Sequence, residues 1–115
     1  MPAFERLKRL ASYAITASQA TAYTAPVAAR AYNEEATAKF RMALANGSGA
    51  ARTVSIWIGP SGTLTLLVES YAIAANAAPF IPDLDFALGG GEIVQAQASG
   101  TGCVLYLFGT ERTRD

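Results

Sequence analysis

The chain has 115 residues, one cysteine, no histidine, and nine basic side chains against nine acidic ones. That length suits one domain that buries about two-thirds of the surface its unfolded form exposes, so a core forms without metal or disulfide. Without histidine the commonest general base and metal ligand is missing, and balanced charge offers no basic surplus to phosphate; catalysis, cofactors, metals and nucleic acid are therefore not expected. Nor is a membrane, because no run reaches the roughly 18 apolar residues of a spanning helix. Charged residues make up only 16% of the chain, against roughly 25% in an ordinary soluble domain, which suits a surface partly covered by other subunits.

In chain order, Phe4, Leu7, Leu10 and Ala11 recur at spacings of three and four with Glu5, Arg6, Lys8 and Arg9 between them, the pattern of a short amphipathic helix. Such a helix is too short to be stable alone and must dock. The competing reading is an extended arm that becomes a first strand near Leu10 to Thr16. Ser12, Tyr13, Thr16, Ser18 and Gln19 interrupt the apolar run a secretory signal needs, and Glu5 stands in its positive segment, so no leader is expected.

From about Gln19 onward the signals are strand and turn. Ala36 to Ala45 sets Phe40, Met42 and Leu44 on one face and Lys39, Arg41 and Ala43 on the other. Asn46-Gly47-Ser48-Gly49 reverses the chain into Arg52 to Ile58, where Val54, Ile56 and Ile58 alternate with Thr53, Ser55 and Trp57. The turn Gly59-Pro60-Ser61-Gly62 leads to a strand over Thr63 to Glu69, and a short strand follows over Tyr71 to Ala74. Phe86 to Leu88 precedes the triple glycine Gly89-Gly90-Gly91, read as a tight bend. The last strands are Glu92 to Ala98 and Cys103 to Gly109; Val104, Tyr106 and Phe108 share one face of the final strand, Leu105 and Leu107 the other, and both faces read as covered. The expected fold is all-β: a single antiparallel sandwich, jelly-roll or immunoglobulin-like, of about seven to eight strands. An N-terminal arm or helix over residues 1–18 precedes the sandwich at 19–110, and a tail follows at 111–115.

No candidate chemical motif is complete. Gly59-Pro60-Ser61-Gly62-Thr63 lacks the last glycine of a hydrolase elbow and a histidine to activate its serine. Gly47-Ser48-Gly49-Ala50-Ala51-Arg52 has arginine where a phosphate loop needs glycine, and a strand where it needs a helix. Asp83 with Asp85, and Glu34 with Glu35, read as solvated loop and edge charges, with calcium or glycosidase chemistry as the sharper alternative. Cys103 reads as a small apolar core residue. Asn46-Gly47-Ser48 matches a glycosylation sequon, yet the same residues serve a tight hairpin. Tyr13, Tyr23, Tyr32 and Trp57 suit core packing first, and an interface or sugar platform second.

Taken together, several phrases carry a resemblance: Ala22-Tyr23-Thr24-Ala25-Pro26, the run from Leu44 to Val54, Trp57-Ile58-Gly59-Pro60-Ser61-Gly62, Ser70-Tyr71-Ala72-Ile73-Ala74, and Gly91-Glu92-Ile93-Val94-Gln95-Ala96-Gln97-Ala98. This order of turns, over roughly residues 20 to 109, resembles small β-sandwich accessory proteins of tailed bacteriophage particles, which decorate capsids or attach at necks, tails and fibres. The resemblance implies a virion component without catalysis, assembled in the bacterial cytoplasm as a homo-oligomer and held by major capsid, neck or tail proteins. Asn33-Glu34-Glu35 departs from the pattern, where alternating apolar residues are usual. The candidate interface residues are Phe4, Leu7, Leu10, Tyr13 and Trp57, with the arm docking on a neighbour and the sandwich folding without residues 1 to 12. The alternative is a carbohydrate- or receptor-binding module with Trp57 or Tyr71 as its platform.

Overall fold

The computed structural model describes residues 4–26, 36–77 and 86–113. Its order is β1 (Phe4–Ala14), β2 (Ala20–Thr24), β3 (Ala36–Asn46), β4 (Arg52–Gly59), β5 (Thr65–Ile73), β6 (Phe86–Gly89), β7 (Ile93–Ala98) and β8 (Cys103–Thr113). The first sheet runs β1-β8-β3-β6 and the second β2-β7-β4-β5, all pairs being antiparallel.

This order has a simple origin. Strands 1 and 8, 2 and 7, 3 and 6, and 4 and 5 pair as the rungs of one long hairpin whose tip is the turn between β4 and β5. Rolling that hairpin up adds the lateral pairings β3 with β8 and β4 with β7. The result is a jelly roll, which separates the two sandwich topologies that alternation alone leaves open.

At its start the chain departs from the helical reading. Residues Phe4–Ala14 form a strand paired with β8 from Phe4 opposite Thr113 to Ala14 opposite Val104, with a bulge between Arg9 and Ala11. The three-and-four spacing of the apolar residues loses to the ladder that β8 offers, and the bulge shifts the alternation so that Leu10 and Ala11 both pack against the core. Residues 4–14 are thus a strand of the first sheet, so the helix gives way to the extended reading, with the strand beginning at Phe4 and not near Leu10. Two further boundaries move: β5 is one strand through Ile73 with bulges on the β4 side, and β8 continues past Gly109 to Thr113.

The core lies between the sheets, where Met42, Leu44, Val54, Ile56, Val94, Ala96, Leu105 and Leu107 are closed to solvent. Phe40 joins its two ends of packing, edge to face with Tyr23 at 6.2 Å and stacked with Phe86 at 5.7 Å between ring centres. Opposite Phe40 on β8 stands Gly109, and a Cβ there would lie 1.9 Å from the Lys39 carbonyl oxygen and 2.6 Å from Phe40 Cα. Glycine is therefore what lets β8 approach β3 so closely.

Among the described residues one polar side chain is fully enclosed. Asn46 closes the hairpin between β3 and β4: its Nδ2 donates to the carbonyls of Ala50 (2.8 Å), Ile73 (3.3 Å) and Ala74 (3.2 Å), and its Oδ1 accepts from Ser48 N (3.0 Å) and Ser48 Oγ (2.8 Å). With 1% of its surface exposed, this amide has no room for a glycan, so the sequon at Asn46 is a structural hub in the folded chain.

Candidate functional site

Side chains directly opposite one another in a ladder share a face, which allows the outward surfaces of both sheets to be read in rows. On the first sheet one row holds Arg9, Phe108 and Arg41, and the next holds Ser12, Tyr106 and Ala43. Ala14, Val104 and Ala45 follow, and on the other side of Phe108 stand Thr110, Lys39 and Ala87. Phe108 keeps 40% of its surface exposed, and its ring stacks with Tyr106 at 6.1 Å and 20°. Around this aromatic pair lie half-buried Val104, Ala43 and Ala45, with exposed Arg9, Lys39 and Arg41 at one end.

The face that reads from sequence as covered is thus open: β8 is central in its sheet, and its inward residues Cys103, Leu105 and Leu107 are buried in the core while Phe108 stays exposed. The alternation of Val104, Tyr106 and Phe108 was the available signal. An all-apolar strand is compatible with a strand covered on both faces or with a contact surface, and periodicity does not distinguish them.

The predicted interface residues separate. Leu10 and Tyr13 are half-buried against the core. Phe4 and Leu7 lie on the β1 backbone, and their side chains fall outside the described residues. Trp57 points outward from the second sheet, in a row with Thr21, Gln95 and Leu66 that crosses all four strands. Tyr71, opposite Val54, packs against the core, so it and Trp57 do not form one platform. Glu34, Glu35, Tyr32, Asp83 and Asp85 lie outside the described residues.

Among the described residues, Tyr23 and Cys103 are perturbed in their titration. Tyr23 donates its hydroxyl to Glu111 Oε2 at 2.5 Å, tying β2 of one sheet to β8 of the other. Burial first, then the hydrogen bond to the Glu111 carboxylate and its charge, hold the phenol well above its ordinary value. Burial also raises the Cys103 thiol, while the charge of Arg52 pulls the other way. With 1% exposure, Cys103 packs as the small apolar residue its flanking sequence suggests.

The turn sequences are also occupied structurally. Gly59 (φ 130°) and Gly62 (φ 91°) shape the bend before β5, where Thr63 N donates to the Pro60 carbonyl at 3.0 Å. Among the described residues no group of three or more His, Cys, Asp or Glu side chains gathers to hold a metal ion, and no helix is long and apolar enough to cross a membrane. Comparison of the chain with protein families, curated proteins and solved structures finds no match.

Proposed function

We propose that the chain is a non-enzymatic structural protein of a tailed-phage particle, decorating or cementing the capsid or joining it to neck or tail. The observation that carries this reading is the outward face of the first sheet, where Tyr106 and Phe108 stand among alanines and valine with cations at the rim. Aromatic and small apolar side chains at the centre of a flat patch, with charge at its border, are what protein interfaces are built from.

Its partner is a neighbouring protein whose apolar patch is bordered by carboxylates. A second copy presenting the same face would set Arg9 and Lys39 against their own kind, so homo-oligomer contacts form through other surfaces. Association is driven by apolar burial, about 25 cal/mol per Å² before the entropy of association is subtracted. The phage resemblance in the turn phrases supplies the particle. Eight-stranded jelly rolls also occur among viral capsid and lectin domains, an analogy of fold rather than of function.

The test is incorporation. Particles purified from an infected host culture are expected to carry the chain in many copies, assembled in the bacterial cytoplasm. The double variant Phe108→Ser with Arg9→Glu is expected to fold and stay off them. Absence of the chain from purified particles, or normal incorporation of the double variant, refutes the reading.

A further inference from the structure

The second sheet presents a surface of different chemistry. Its longest row, Thr21, Gln95, Trp57 and Leu66, spans four strands, or about 14 Å. Beside it stand Gln97 with Ser55, and then Thr53 with Ala72. None of these eight side chains is charged; Glu69 lies in the β5 bulge that faces Ser55.

The amides on this face are already oriented. Gln19 Nε2 donates to Gln95 Oε1 at 2.7 Å, Gln95 Nε2 donates to Thr21 Oγ1 at 3.2 Å, and Gln97 Nε2 donates to the Ala17 carbonyl at 2.9 Å. Each primary amide has two donor hydrogens and an acceptor oxygen, so these bonds fix the rotamers and leave capacity for a ligand. Fixed side chains lose less entropy on binding.

We propose that this face is a binding site for a neutral glycan, with a sugar ring laid on the Trp57 indole and its hydroxyls taken by Gln95, Gln97, Ser55 and Thr53. A pyranose presents an apolar C–H face and a border of hydroxyls, which matches an indole bordered by amides and hydroxyls. An anionic polymer would lose hydration on a surface whose rows hold no countercharge, so the face selects against charge. This site goes beyond the assembly reading, uses the opposite sheet, and stands or falls separately from it.

Trp57 is the chain's single tryptophan, so its emission reports on this face alone. The full chain is titrated with soluble neutral glucans, mannans, galactans and N-acetylhexosamine oligomers, and with polygalacturonate and heparin as anionic comparisons. At least one neutral glycan is expected to shift the emission saturably, while the anionic polymers do not. By calorimetry Trp57→Ala is expected to weaken that binding about tenfold or more, and Trp57→Phe by less. Gln95→Ala tests the amide independently of the ring should Trp57→Ala fail to fold, and is also expected to weaken binding. Phe108→Ser, on the other sheet, leaves it unchanged. Absence of binding to every neutral glycan overturns the proposal, as does tighter binding of an anionic polymer. Unchanged affinity in Trp57→Phe and Gln95→Ala together does the same.

Discussion

The two outward faces of this sandwich arise from the same alternation and end with opposite chemistries. On the first sheet the rows gather Arg9, Lys39 and Arg41 around Tyr106 and Phe108. On the second they gather Gln95, Gln97, Thr21, Thr53 and Ser55 around Trp57. The described carboxylate side chains stand elsewhere: Glu69 in the β5 bulge, Glu92 in the turn before β7, and Glu111 on the inward side of β8 bonded to Tyr23. Among the described side chains, then, cations collect on the first face, while the rows of the second are uncharged with Glu69 at their β5 edge. Total charge bears on solubility and nonspecific binding, whereas the distribution decides which partner each face accepts.

The largest expected effect breaks the scaffold of one face. Gly109→Ala places a methyl where the β3 backbone already lies, and neither the Lys39 carbonyl nor Phe40 Cα is a flexible chain end. The expected loss is more than about 3 kcal/mol, read by urea melts, because β8 must move away from β3. Phe108 and Arg41 occupy the adjacent row, so any partner of the first face should be lost with them. A melt within about 1 kcal/mol of the unaltered chain would show that the two strands part at little cost.

Next comes Asn46→Ala, which leaves the carbonyls of Ala50, Ile73 and Ala74 without their shared donor in an enclosed corner. The expected loss is about 2 to 3 kcal/mol, measured the same way. Because Asn46 ties the start of the β3–β4 hairpin to the end of β5, this substitution loosens both sheets at one end and does not favour one face over the other.

The sandwich was legible in the sequence because strand alternation is a local signal. Phe40, Met42 and Leu44, and then Val54 and Ile56, mark their own inward faces without knowledge of any partner, and the core holds all five. The start of the chain was harder. Phe4, Leu7, Leu10 and Ala11 carry helical spacing, and only the pairing with β8 makes this segment a strand, its bulge between Arg9 and Ala11 letting the neighbours Leu10 and Ala11 both pack against the core. The contact faces were less legible still. That Arg9, Phe108 and Arg41 share one row depends on β8 lying between β1 and β3, and such long-range order is not written in any one segment. Asn46 is a related case, since a sequon and a buried hairpin hub use the same three residues and differ in whether the amide meets solvent at all.

A smaller effect concerns the tie between the sheets that keeps the two faces at a fixed separation. The unfolded Tyr23 phenol ionises near 10, and the folded one well above it. Between those values the native state holds a proton that the unfolded state has released, so stability falls as pH rises past about 10. Below that range the contribution is complete. Tyr23→Phe is expected to cost about 1 kcal/mol at neutral pH, for the lost hydrogen bond to Glu111, and to flatten part of the alkaline loss. Melts of both proteins at neutral pH and at about pH 11 decide this; equal slopes would mean that Tyr23 ionises alike in both states.

The smallest expected effect on folding is also the one that most sharpens the contrast between faces. Phe108→Ser and Gln95→Ala both change outward side chains away from the core, so each should leave stability within about 0.5 kcal/mol. Their consequences for binding should not overlap: the first removes the ring at the centre of the cationic face, the second an amide beside the indole. Salt separates them further. Attraction between exposed charges is screened beyond about 10 Å at 0.1 M ionic strength, so contact through Arg9 and Lys39 should weaken as salt rises, while contact through amides and an indole should hold. If both binding activities fell together with salt, or if either substitution abolished both, the two faces would be one site and the division drawn between them would be wrong.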